Sequence, residues 1–376
     1  MKILFVLDQY FDANNGMTNS ARRFARGLSE RGHEVRICAI GGPDQTPYGL
    51  REFRLPLVGW IIASEGMAFA RPDREILRQA LSWCDIAHLA VPFPLGRAAA
   101  DLAGAMGVPF TAAFHVQPEN ITSTVGLGHF APANDALYLA GYRYFYRYCR
   151  YLHCPSGFIA GELRKRGYDR TCRLYVISNG IDPFFMSAER REKPEELKDR
   201  FVILSSGRLS AEKRQDALIR AAALSKHSDI ITLRLAGQGP RAGYLERLAA
   251  REKVDCGFGF YDQEGLKELI SYSDLYVHAA DAEIEAMSCM EAFAGGLVPV
   301  IANSKKSATP QFALDGRSRF RANDPVSLAN RIDYWIEHPA ERARMGRAYA
   351  ASAGKYALSV SVAAFERMLC DALSGR

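Results

Sequence analysis

The sequence predicts an α/β protein built from two Rossmann-like domains that face each other across a cleft. Three observations carry this reading. The chain has 376 residues, more than one ordinary core supports and enough for two domains of roughly 150–200 residues each. It opens on strand, helix and strand, the βαβ unit of a parallel sheet. After a charged interruption rich in Glu and Lys, the same alternation begins again.

The elements follow in order. "KILFVL" reads as a buried first strand, and its apolar run is too short for the core of a signal peptide. The loop "DQYFDANNGMTN" leads into "NSARRFARGLSERG", where Ala21, Phe24, Ala25 and Leu28 share one helical stripe and Gly32 marks the stop. "HEVRICAI" is the second strand. "DIAHLAV" and "PFTAAFHV" read as buried strands with the helix "GRAAADLAGAMG" between them. "RYLHCPSG" and "RLYVISNGID" read as strands running into turns, and "PFFMSAERREKPEELKDR" as a linker. The second series runs "FVILSSGRL", "KRQDALIRAAALSK", "ITLRLAGQGP", "GYLERLAAREK", "DLYVHAA", the mostly helical "IEAMSCMEAFAGG" and "LVPVIAN". The tail from Pro325 is helical. The predicted organisation is a first domain over 1–184, a linker over 185–200, a second domain over 201–355, and a C-terminal helix over 356–376 that packs back on the first domain.

Composition narrows the function. No apolar run reaches the ~18–20 residues of a spanning helix, so a cytoplasmic protein is expected. The eight cysteines form no C-x-x-C pair, which indicates neither a zinc site nor a disulfide framework. The net charge of +6 is uneven, with 20 basic against 15 acidic residues in 1–180 and 28 against 27 in the remainder. A basic first half suits a membrane surface, nucleic acid or phosphate, although a solvated surface explains so small a surplus as well.

Four segments carry candidate chemistry. Gly16 lies between the first strand and the first helix, where a glycine lets the backbone approach a ligand phosphate, as any tight βα turn also would. The dinucleotide fingerprint G-x-G-x-x-G is absent from that turn; "GQGPRAG" at 237–243 comes near it but has Pro240 and a late third glycine, which disfavours an NAD enzyme. In "SSGRLSAEKRQDAL", Arg208 and Lys213 flank a helix start after a strand, a site suited to a diphosphate unless they are plain surface charge. "HAADAEIEAMSCMEAFAGG" sets Glu283, Glu285 and Glu291 among small apolar residues, and a buried carboxylate is costly unless paired. In a continuous helix, Glu283 and Glu291 stand about 12 Å apart in rise and about 80° apart in rotation. Two carboxylates so placed reach opposite ends of an extended nucleotide-sugar, not one atom.

Taken together and in order, these segments resemble the retaining glycosyltransferases of the GT-B fold, in their large fourth family (group 1 type). "NNGMTNSARRFARGLSERGHEV" resembles the glycine loop and R-G-H-E-V helix end, "VPFTAAFHV" the strand delivering a histidine, "CPSGFIAGEL" and "VISNGID" the P-S and P-N-G-[VI]-D segments. "SGRLSAEK" resembles G-R-L-x-x-x-K, "LAGQGPRAGYLERLA" the G-x-G-P loop, and "EIEAMSCMEAFAGGLVPVIA" the E-x-x-x-x-x-x-x-E signature, with "LDG" and "NDPVSLA" closing the domain. The likeness spans nearly the whole chain. It implies that Arg208 and Lys213 neutralise the donor diphosphate, Glu291 holds the ribose hydroxyls, Glu283 faces the donor sugar, His115 stands near the sugar, and the Gly16 loop closes over the phosphates. Ala286 and Met287 fall at the turn where it places further donor contacts. No D-x-D occurs, which fits a site needing neither metal nor cofactor. The chain departs from the pattern at Glu283-Ile284-Glu285-Ala286, where the family has E-G-F-G. Glu285 is therefore a second candidate acid.

The resemblance makes a UDP-hexose the first expectation for the donor, with GDP-mannose next. Two features bear on the acceptor. "FHVQPENITSTVGLG" resembles a subset of bacterial glycolipid synthases, and Gln117, Glu119 and Asn120 are candidates to line an acceptor hydroxyl, if this is not an ordinary polar loop. In "LYLAGYRYFYRYCRYLH", Arg143, Arg147 and Arg150 fall within about 60° of one helical face among tyrosines, a pattern suited to a membrane interface and equally to an aromatic-packed helix with a basic edge. The expectation is a retaining, metal-independent hexosyltransferase moving glucose or galactose from a UDP-sugar to a diacylglycerol- or ceramide-like lipid. It would work peripherally on the inner face of the cell membrane and have no nucleic-acid partner. A saccharide acceptor of capsule, cell-wall or lipopolysaccharide synthesis, a non-catalytic nucleotide-sugar binder and a sugar-nucleotide epimerase are the alternatives.

Overall fold

Strands that are buried on both faces read as near-continuous apolar runs, and such strands form parallel sheets sandwiched by helices. The computed structural model, which describes residues 1–11, 16–53, 68–124, 128, 130–186 and 190–375, contains two of them. Residues 12–15 of the Gly16 loop, 125–127 and 129 of the polar insertion, and 187–189 of the expected linker lie outside the described residues. The chain divides into two compact units. One holds Met1–Thr122, Leu127–Gly180 and Leu358–Arg376; the other holds Ser123–Gly126 and Ile181–Ala357.

The sheet of the first unit contains β1 (Lys2–Val6), β2 (Glu34–Ile40), β3 (Tyr48–Leu50), β6 (Ile86–Leu89), β7 (Phe110–Ala113), β8 (Tyr151–Cys154) and β9 (Arg173–Val176), in the order β3-β2-β1-β6-β7-β8-β9. A short antiparallel pair, β4 (Glu52–Phe53) with β5 (Phe69–Ala70), stands apart from it. The strand order reverses beside β1, the switch point at whose carboxyl edge open α/β sheets bind ligands. The helix Gly16–Glu30 buries Ala21, Phe24, Ala25 and Leu28, the stripe read from the sequence. The helix Leu358–Leu373 packs against it and belongs to the same core: Val362, Phe365, Met368 and Leu369 join Ile3, Phe5, Phe24 and Leu28. Phe365 stacks on Phe24 with ring centroids 4.5 Å apart. Gly27 allows this approach, since a Cβ there would sit 2.5 Å from Val362. Glu366 adds bonds to Arg31 at 2.5 Å and His33 at 2.6 Å.

The second unit repeats the plan with β10 (Phe201–Ser206), β11 (Ile231–Ala236), β12 (Asp255–Gly259), β13 (Leu275–His278), β15 (Pro299–Ala302) and β17 (Arg319–Phe320), in the order β12-β11-β10-β13-β15-β17. All the pairings are parallel. A separate two-strand ladder joins β14 (Ala282–Glu283) to β16 (Lys306–Ser307). Among the described residues, no helix is long and apolar enough to cross a membrane.

Two local expectations are corrected. Glu283 and Glu291 do not share a helix: Glu283 is in β14, and the helix Met287–Ala294 begins only after Ala286 turns left-handed at φ 70°. Arg143, Arg147 and Arg150 do not share one either. The α-helix Ala131–Tyr144 stops where Phe145 leaves helical backbone at φ −136°, followed by a short 3₁₀ turn over Tyr146–Tyr148 and then β8. Phe145 and Tyr146 are buried in succession, which diverts the chain from helix into strand.

Candidate functional site

The carboxyl ends of β10 and β11 lead into loops that are pressed together. A Cβ on Gly237 would lie 2.0 Å from the Gly207 carbonyl, and one on Gly239 2.5 Å from the Leu209 carbonyl. The glycines of "GQG" therefore permit close backbone contact between two strand-end loops. Arg208 follows β10 half-buried, with its carbonyl accepting from Gln215 Nε2 at 2.9 Å. Lys213 ends a short 3₁₀ turn over Ala211–Lys213. The loop after β13 is tied to that turn by Asp281 N–H donating to the Glu212 carbonyl at 2.7 Å, and to the next loop by Ser304 Oγ donating to the Asp281 carbonyl at 2.5 Å.

This weave delivers Glu283 to Lys213, and the two side chains form an ion pair. The same Glu283 oxygen lies 3.1 Å from His278 Nε2. In a neutral imidazole donating from Nε2, Nδ1 is left to accept from the Tyr276 hydroxyl, 3.3 Å away. Tyr276 in turn meets Ser288 Oγ at 3.2 Å. Burial opposes ionisation of Glu283, but the Lys213 charge and the His278 hydrogen bond outweigh it and bring its pKa down to about 2. Burial likewise opposes the Lys213 ammonium, and Glu283 and Glu212 outweigh it and raise its pKa. Both directions describe one ionised pair, with Glu283 buried and Lys213 half-buried. The backbone of Glu283 is fixed independently: it pairs with Ser307 in the ladder, and its carbonyl accepts from Ala308 N–H at 2.9 Å.

The other acids separate. Glu291 is buried on the helix Met287–Ala294, while Glu285 is 1% exposed and lies close enough to Tyr356 that, after burial, its charge is the main influence raising that phenol's pKa. Ala286, opening the helix, holds a left-handed conformation that favours glycine, and half-buried Met287 is the first helical residue.

In the first unit, Gly16 is exposed at the start of its helix. His115 follows β7 half-buried; burial, helped by the charge of His153, lowers its pKa to about 3, so it is a neutral imidazole at any ordinary pH. The polar insertion folds inward: Gln117 and Glu119 are buried, Asn120 is half-buried, and Glu119 accepts from the Tyr138 hydroxyl at 3.1 Å. Arg143 lies in the last turn of its helix, Arg147 lies over the Tyr148 ring at 4.9 Å, and Arg150 donates to the Gly375 carbonyl at 3.0 Å.

The geometry adds His278 to the residues read from the sequence. The available signal was its place at the carboxyl end of a buried strand.

Two family models divide the chain. "Glycosyltransferase Family 4" matches residues 14–184 and "Glycosyl transferases group 1" residues 186–351. The chain is 29% identical to a GDP-mannose-dependent alpha-mannosyltransferase of Corynebacterium glutamicum, over 80% of this chain and 72% of that one. Anabaena HepE in complex with UDP-glucose superposes with a TM-score of 0.73 at 18% identity, covering 100% of both chains. The catalytic domain of the cholesterol-alpha-glucosyltransferase of Helicobacter pylori is 48% identical over 42% of this chain and 98% of that one, with a TM-score of 0.41, an overlap too small to speak to fold or ligand. Family matches on both halves and a fold shared end to end make this chain a member of the group 1 glycosyltransferases with the GT-B fold.

Proposed function

We propose that the chain transfers a hexose from a nucleoside-diphosphate sugar to a lipid hydroxyl, with retention of configuration and without a metal ion. The Lys213–Glu283–His278 cluster at the carboxyl edge of the second sheet carries the reading. As the bond from the anomeric carbon to the donor phosphate breaks, negative charge gathers on the diphosphate, and Arg208 and Lys213 offset it. An ammonium has three N–H donors, so Lys213 can keep Glu283 and still reach a phosphate oxygen. Glu283, ionised and fixed by its ladder, accepts hydrogen bonds from sugar hydroxyls, and Glu291 from the ribose. The acceptor hydroxyl attacks the face the leaving group vacates and passes its proton to the departing phosphate oxygen, so the product keeps the donor's α configuration. His115, held neutral, offers a hydrogen bond to the sugar without adding charge.

UDP-glucose or UDP-galactose is the first reading of the donor, from the sequence resemblance. The Corynebacterium glutamicum relative, named for GDP-mannose, supports a second. Incubating the chain with UDP-glucose, UDP-galactose or GDP-mannose and a total lipid extract, with and without EDTA, tests all of this by mass spectrometry and NMR of the product. An α-linked glycolipid formed equally in EDTA is expected. A β-linked product, a need for divalent metal, or transfer to saccharides alone overturns the corresponding element.

A further inference from the structure

A groove of about 400 Å³ opens in the first unit, beside the loops that leave β6 and β7. That volume is in the range of small-molecule sites, and its place is the ligand-binding edge of the sheet. Phe93, Phe114, Val116, Leu137, Tyr138 and Tyr146 form its walls. Its buried tyrosines, Tyr138, Tyr146 and Tyr168, present carbon rather than hydroxyl. Tyr138 donates to Glu119, Tyr168 donates to the Tyr138 carbonyl at 2.6 Å, and Tyr146 donates to the Ala113 carbonyl at 3.4 Å. Their rings brace one another, with Phe114 parallel to Tyr138 at 5.9 Å and 5.3 Å from Tyr146. The groove is thus stiff, preformed and apolar, and it flanks His115 in sequence on both sides.

Its mouth is apolar and its surroundings are basic. Ile121, Leu137 and Tyr144 line it while remaining 48%, 38% and 44% exposed. The Arg166 guanidinium lies 3.9 Å from the Tyr138 ring centroid and pairs with Asp135 and Glu162, and Arg97 lies over Tyr148 at 4.3 Å and pairs with Asp101. The exposed Arg143 and Arg147, next to Tyr144 and Tyr146, supply the positive charge of the rim. Apolar and aromatic side chains ringed by arginine suit the boundary between acyl chains and anionic headgroups. A second copy of this chain fits poorly, because a two-fold contact would set one basic rim against another. A peptide would find few partners for its backbone, since the buried hydroxyls are already engaged.

We propose that this groove takes the apolar body of one membrane lipid, with the arginine rim resting on an anionic bilayer. The idea rests on the lipid-acceptor reading only in naming the class of molecule held.

The test uses the full chain with vesicles of phosphatidylcholine, or of phosphatidylcholine mixed with phosphatidylglycerol, each carrying a lipid with a photoreactive diazirine on its acyl chain. After illumination, adducts are located by peptide mass spectrometry. Adducts within 114–121 and 137–146, stronger with phosphatidylglycerol, are expected. Gly141 lines the groove and a Cβ there meets only ordinary contacts, Tyr146 at 3.8 Å and Tyr168 at 3.9 Å, so Gly141→Leu adds its side chain to the groove, and Gly141→Ala is the smaller control for folding. Gly141→Leu should keep the wild-type melting temperature and lose the label by about tenfold or more. Adducts elsewhere, Gly141→Leu labelled like wild type, or a dimer whose formation shields the groove each overturn the proposal. Transfer assays separate the two readings. Loss of label in Gly141→Leu from a chain that glycosylates only soluble saccharides keeps the groove and removes the lipid acceptor. Equal glycosylation of lipid by both proteins, with equal labelling, does the reverse.

Discussion

Glu283 is a buried charge whose cost is met by Lys213 and His278, and removing any of the three is read differently. Lys213→Ala deletes the cation facing the diphosphate and strands a buried carboxylate; turnover should fall by about 100-fold or more, with a lower melting temperature. Glu285→Ala should keep turnover near wild type in steady-state assays, because the acids that raise Lys213 are Glu283 and Glu212, while Glu285 acts on Tyr356. An active Glu283→Ala beside an inactive Glu285→Ala would reverse these roles. The pair also sets a pH profile. Glu283 is depressed from 4.5 to about 2, so its contribution to stability is full above 4.5 and lost as pH falls toward about 2. Lys213 is raised above 10.5, so its contribution is full below 10.5 and lost only beyond that. Urea titrations should therefore show this contribution constant between about pH 5 and 10 and falling in acid; Glu283→Gln should flatten the acid limb. Arg208 and Lys213 were legible in the sequence as cations after a strand, and Glu283 as an acid among small apolar residues whose role came only from the family resemblance. His278 was not, because its role depends on the loop after β13 folding back onto its own strand, which no local periodicity encodes.

At the scale of elements, two turns hold the site in shape. Gly237→Ala places a methyl 2.0 Å from the Gly207 carbonyl and must separate the loops that carry Arg208; a marked rise in donor KM is expected, measured with soluble donor. Ala286 is the reverse case, an alanine where the backbone wants glycine. Ala286→Gly relieves a left-handed strain of about 1–2 kcal/mol and restores unfolded-chain entropy of about 0.4–1 kcal/mol, leaving a net gain between zero and about 1.6 kcal/mol in thermal unfolding. Buried strands and the first helix were readable from apolar runs and the Ala21–Leu28 stripe. The break at Phe145 was not, since the segment's spacing fits a longer helix and only tertiary burial of Phe145 and Tyr146 interrupts it. The ladder of β14 with β16 was likewise hidden: two residues on each side are too few to leave a pattern.

At the scale of the molecule, the alternation of strand and helix made the doubled α/β plan readable, and the two sheets follow the same winding order. Phe365 stacks in the core of the first unit, so Phe365→Ala should cost about 3–5 kcal/mol there, seen as an early transition in calorimetry while the second unit melts unchanged. The path of the chain has a consequence for its biosynthesis. Domains usually fold in the order in which the ribosome releases them. Here the first unit lacks its last helix until residues beyond 357 are released, and all of Ile181–Ala357 emerges before them. The nascent first unit must wait with Phe5, Phe24 and Leu28 uncovered, and it is the later-made second unit that can complete its fold first.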